Sequence, residues 1–140
     1  MTWFTWSLLS ALFAAATAIL AKIGVAHVES NLATAIRTTV VLVLAWSIAI
    51  AFGSHRQFSA LDRRSIGFLV ASGVATGLSW LCYFRALASG PASKVAPVDK
   101  LSVVFVILLA WPMLGESLTK GKLLGGGLIA IGALVLAVTH

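Results

Sequence analysis

Acidic residues are few: four Asp and Glu stand against ten Lys and Arg, for a formal charge of +6. Charged residues of both signs make up only 10% of the chain, where soluble proteins carry about 25%. So few carboxylates leave no acid–base pair for a soluble cleft, and no GxGxxG, P-loop, GxSxG or HExxH pattern occurs. Enzyme activity is therefore not expected, no catalytic residue is nominated, and no cofactor is implied. Cysteine is equally scarce. Cys82 stands alone, which excludes an intramolecular disulfide, and no Cys/His spacing suggests a metal site. His27, His55 and His140 lie too far apart for a local motif and read as loop and terminal residues. The start, MTWFTWSLL, lacks the basic region of a signal peptide and no cleavage site follows, so it reads as a retained first helix.

What the chain has in abundance is apolar sequence: 60% hydrophobic residues and a mean hydropathy of +1.04. No soluble fold of this size hides several apolar runs of about 20 residues. One domain, spanning residues 1–140, is the natural count. The basic residues are scattered among these runs, as the positive-inside bias and anionic headgroups favour. No basic tail or basic–aromatic interleaving supports nucleic-acid binding.

The expected fold is all-α and integral to the membrane, a bundle of five transmembrane helices at roughly 4–23, 32–52, 66–88, 92–113 and 122–138. In the first, Ser10, Ala14 and Ala18 form a small-residue face, Trp3 and Trp6 suit an interfacial belt, and Lys22 reads as snorkelling to headgroups or facing a polar vestibule. Arg37 falls inside the second. The polar segment GSHRQFSALDRRS follows, where Ser59 and Asp62 resemble the start of a short interfacial helix and Asp62 reads as a solvated partner of Arg56, Arg63 and Arg64. These arginines make it a cytoplasmic loop. Gly73 and Gly77 form a packing motif in the third helix, and Gly125, Gly126, Gly127 and Gly132 a close-approach face in the fifth. Trp80 and Tyr83 are belt residues or line a cavity. Pro97 is tolerated in the first turns of the fourth helix or kinks it, Pro112 helps end it, and Ser117 or Thr119 offers a cap for the fifth.

Residues 79–117 concentrate charge within apolar sequence. A charge near the bilayer centre costs at least ~2.5–3.5 kcal/mol on insertion scales, so it needs a partner or water. Taking ~1.5 Å per residue from the helix ends, Lys22, Arg37, Arg85, Asp99 and Lys100 occupy one membrane half, four positive and one negative. The structural reading is snorkelling plus an ion pair of Asp99 with Arg85 or within its own helix. The functional reading is a water-filled vestibule suited to an anionic or zwitterionic substrate. On it, Arg37, Tyr83, Arg85, Asp99 and Lys100 line the substrate path, with Lys22, Trp80, Lys94 and Pro97 in the vestibule.

The run FRALASGPASKVAPVDKLSVVFVILLAWPMLGESLT, followed by a glycine-rich last helix, resembles the EamA-like repeat of the drug/metabolite transporter superfamily. Tyr83-Phe84-Arg85-Ala86-Leu87, Gly90-Pro91-Ala92-Ser93, Val95-Ala96-Pro97, Leu114-Gly115-Glu116 and Leu118-Thr119 carry the likeness, as do Lys22, Gly24 and Arg37. Asp99-Lys100 depart from it, where uncharged residues are commoner. The resemblance implies a secondary transporter of the inner (plasma) membrane. Its usual ten-helix form holds two such repeats, and this chain is similar to the small five-helix branch. A lone repeat with an odd number of spans then implies a homodimer, parallel or antiparallel, working on a small-molecule substrate within the lipid bilayer. The rival reading is a non-transporting membrane subunit whose charges are structural. Proton-coupled export as in small multidrug resistance proteins is disfavoured, because that family relies on a glutamate in helix one and none stands here.

Overall fold

Each apolar run forms a helix in the computed structural model, which describes residues 2–139 without the Ser59 side chain. The chain is all-helical among these residues: α1 Trp3–Gly24, α2 Ser30–Ala51, α3 Arg63–Ser89, α4 Ala92–Asp99, α5 Ser102–Leu114 and α6 Lys120–Val138. Five spans are long and apolar enough to cross a membrane, α4 and α5 together forming the fourth, Ala92–Leu114. The reading of His140 falls outside the described residues.

Local chemistry sets the helix ends. Ahead of α2, the Glu29 carboxylate accepts from the Asn31 and Leu32 N–H groups at 2.9 and 3.0 Å, satisfying donors that a helix start leaves over. Asp62 does the same for α3, accepting from the Ser65 N–H at 3.3 Å. Thr119 caps α6 by accepting from the Lys122 N–H. Gly115 ends α5 with φ 69°, a left-handed conformation that a Cβ would disfavour.

Three expectations are corrected. The polar loop forms a 3₁₀ helix over Ser54–Ala60, ahead of Asp62. Asp62 serves α3 as a cap and makes no ion pair with an arginine among the described residues, while Arg64 lies over the Phe68 ring. Pro112 sits inside α5, so Gly115 terminates that helix. The fourth span is split by a turn, as a kink at Pro97 allows. Pro97 withholds the donor that would bond the Ser93 carbonyl, and the ladder then tightens: Lys100 N–H bonds the Pro97 carbonyl and Leu101 N–H the Val98 carbonyl. Lys100 and Leu101, at φ −70°, ψ −7° and φ −58°, ψ −21°, form a turn between α4 and α5.

The helices fall into two compact units, Met1–Lys22 with Ser89–His140, and Ile23–Ala88. In the first, α6 packs on α4 and α5, burying Gly126, Ala133 and Ala110. In the second, Val25, Thr34, Phe84 and Leu87 are buried. Most large apolar side chains instead face outward, Leu20 and Leu124 among them, as a hydrocarbon solvent permits.

Candidate substrate path

Within the second unit, Arg37 of α2 reaches toward α3. Its guanidinium carbon lies 4.2 Å from the Trp80 ring centroid and 5.5 Å from that of Phe84. The cation meets ring faces at the separations of a cation–π contact. Phe84 is buried at 3% exposure and so fixes the far side of this cluster. Tyr83 joins by its edge, ring centroids of Tyr83 and Phe84 being 6.5 Å apart at 68°. Ring contacts offset about 0.5–2 kcal/mol of the cost of a cation in a membrane, less than the ~2.5–3.5 kcal/mol it incurs there. The remainder must come from what reaches its N–H edge.

The same helix pair bears a groove of about 540 Å³, lined by Asn31, Thr34 and Thr38 of α2 and by Val74, Gly77 and Leu81 of α3. Thr34 and Thr38 donate their hydroxyl protons to the Ser30 and Thr34 carbonyls at 2.8 and 2.7 Å. Their hydroxyl oxygens thus retain only acceptor capacity. Arg37, Trp80, Tyr83 and Arg85 are not among the groove residues.

Glu29 was missed by the sequence reading. The Asn31 and Leu32 N–H groups hold its carboxyl below the ordinary glutamate range, with smaller contributions from the Ser30 hydroxyl and the Arg85 charge. Glu29 therefore stays ionised near neutral pH and places a negative charge at the start of α2. Glutamate is not among the favoured cap residues, so its only signal was being the sole acid in the link between the first two helices.

In the first unit, Lys22 does more than snorkel. Its ammonium donates to the Gly90 carbonyl at 2.9 Å and is partly buried. Asp99 pairs with its neighbour Lys100 at 3.5 Å, a long contact for opposite charges. Pro97 and Lys94 lie on α4 before the turn. Of the packing glycines, Gly126 approaches Ile107, whereas a Cβ on Gly73, Gly77, Gly125 or Gly132 would meet no atom within 4 Å. The nominated residues thus divide between units, Arg37, Trp80, Tyr83 and Arg85 in one, Lys22, Lys94, Pro97, Asp99 and Lys100 in the other.

Five apolar spans, the fourth split by a turn beside the Asp99–Lys100 pair, define an all-helical integral membrane protein. The EamA-like transporter family matches residues 1–138, and the chain belongs to that family. It is similar to a Sinorhizobium sp protein described as an uncharacterized transporter in the cobO 3' region, with 50% identity over 137 residues, 98% of this chain and 97% of that one. No solved structure matches it.

Proposed function

We propose that this membrane transporter exports a small polar metabolite, anionic or zwitterionic, by alternating access across the plasma membrane. The observation that carries the reading is the interrupted fourth span, where Asp99 and Lys100 fall at the turn between α4 and α5. Transporters place substrate and coupling-ion sites at irregularities within a span; here the turn stays hydrogen-bonded, and the polar groups it offers are the Asp99 and Lys100 side chains. Arg37, Tyr83, Arg85, Asp99 and Lys100 line the path, and Lys22, Trp80, Lys94 and Pro97 its vestibule. Residues 1–140 act as one transmembrane domain. The working unit is an antiparallel homodimer, which supplies the inverted pair of repeats.

Uptake of a panel of radiolabelled metabolites into proteoliposomes tests the proposal. Saturable uptake of an anionic or zwitterionic compound is expected. Uptake of none above protein-free liposomes, with folding intact, refutes transport and favours a structural subunit.

A further inference from the structure

Arg37 lies about 10 Å along α2 from Ser30, at ~1.5 Å per residue, and so stands within the span. Among the described residues it makes no hydrogen bond and no ion pair; the Trp80 and Phe84 rings lie against it, and Tyr83 is near enough to act on its charge. None of its nitrogens is sealed from its surroundings without a partner. Ring faces attract the cation but offer no lone pair, so the N–H donors stay available for an acceptor. Two other cations of the nominated set have partners of their own, Lys22 with the Gly90 carbonyl at 2.9 Å and Lys100 with Asp99 at 3.5 Å.

We infer that Arg37 is an oxyanion receptor, and that Trp80, with the buried Phe84 against the same guanidinium, is the positioning residue that holds it for a carboxylate or phosphate. The inference rests on the transport reading only for its biological use. A guanidinium presents parallel donors that match the two oxygens of such a group, and contact with a rigid ring limits the rotamers lost on binding. The arrangement also rejects cations. The Trp80 face that would take a quaternary ammonium is already covered by Arg37, whose like charge repels it. The oxyanion belongs either to a free metabolite or to a phospholipid headgroup.

The test uses full-length protein in maltoside micelles, with Trp3, Trp6, Trp46 and Trp111 changed to Phe so that Trp80 alone reports. Acetate, inorganic phosphate, tetramethylammonium and dihexanoyl phosphatidylglycerol are titrated at constant ionic strength. Acetate or phosphate is expected to change Trp80 emission saturably, and tetramethylammonium is not. Arg37→Met should weaken the response at least about tenfold and Arg37→Lys less, since a lone ammonium keeps charge without the fork. Stabilisation against heat by the same anions should survive Trp80→Phe, which keeps a ring face, and be lost in Trp80→Ala. Response to the phospholipid alone keeps the receptor but assigns its ligand to the headgroup. An unchanged response in Arg37→Met, a saturable response to tetramethylammonium, or full anion stabilisation in Trp80→Ala overturns the inference. Should Arg37→Met fail to fold, Arg37→Lys and the Trp80 pair still decide. Oxyanion binding without flux in proteoliposomes refutes transport and leaves the receptor standing. Undiminished flux of an anionic substrate in Arg37→Met and Trp80→Ala does the reverse.

Discussion

The Lys22 ammonium donates to the Gly90 carbonyl at 2.9 Å and so ties the end of α1 to the turn after α3. A cation at that point satisfies a carbonyl left over at a helix end and opposes the negative end of the helix dipole. Lys22→Met should lower unfolding free energy in mixed detergent micelles by about 1.5 kcal/mol, the low end for a hydrogen bond from a charged group. Lys22→Arg should lose less. No change in Lys22→Met would mean the contact is not stabilising.

Gly126 offers a sharper packing test. A Cβ there would stand 3.2 Å from Ile107 Cδ1, whereas one on Gly132 of the same helix meets nothing within 4 Å. Gly126→Ala should cost about 1 kcal/mol, since overpacking outweighs its gain in helix propensity. Gly132→Ala should be neutral or stabilising. Adding Ile107→Val, which removes the crowding methyl, should recover much of the loss in a double-mutant cycle. Equal effects at both glycines would show that α5 and α6 do not pack this closely.

What was legible in the sequence depended on how local its cause is. Five spans follow from apolar runs of about 20 residues whose few charges do not mask them, a signal that needs no knowledge of tertiary contacts. The Thr119 cap was legible for the same reason. Lys22 shows the limit, because its acceptor, Gly90, lies far along the chain and nothing near Lys22 points to it. The break at Lys100–Leu101 was only half visible. Pro97 signalled disturbance, but the turn forms beyond it, where the backbone adopts 3₁₀-like bonds. Arg37 was readable as an intramembrane cation, whereas its seat on Trp80 depends on how α2 and α3 pair their side chains.

Glu29 predicts a pH dependence. Its carboxyl lies below the ordinary value of 4.5 because the Asn31 and Leu32 N–H groups bond the charged form. A depressed folded-state pKa means stability that is present in full above about 4.5 and is lost as pH falls through the folded value. Thermal unfolding of Glu29→Gln and wild type should therefore differ most near neutral pH and converge as pH drops below that range. A difference that grew on acidification would contradict the cap.

Asp99 and Arg85 bear on transport itself. Asp99→Asn removes the carboxylate at the turn between α4 and α5, and leaves Lys100 without its ion-pair partner. Arg85→Gln removes a cation of the proposed path. Each should reduce flux at least about tenfold, the scale of losing one hydrogen bond to a charged group, while expression stays normal. Wild-type flux in both variants would remove these residues from the path.

Orientation in the membrane is the last prediction. Five spans place the two ends of the chain on opposite faces, so the ten-helix arrangement implied by the resemblance carries its second repeat inverted. A single-repeat chain recreates that pair only if its copies insert both ways. Dual insertion requires a weak positive-inside bias. One face collects Arg56, Arg63, Arg64, Lys120 and Lys122, and the other Lys22, Arg37, Arg85, Lys94 and Lys100. These sets balance when every basic residue counts. Removing those within the spans tips the bias toward a cytoplasmic N-terminus, and the Lys122–Glu116 pair at 2.8 Å does little to restore it, since acidic residues weigh lightly in this rule. Fusions of a cytoplasmic and a periplasmic reporter after residue 140 separate the cases. Signal from both is the expected result. Signal from the periplasmic reporter alone means that all copies insert one way, and the antiparallel dimer is then wrong.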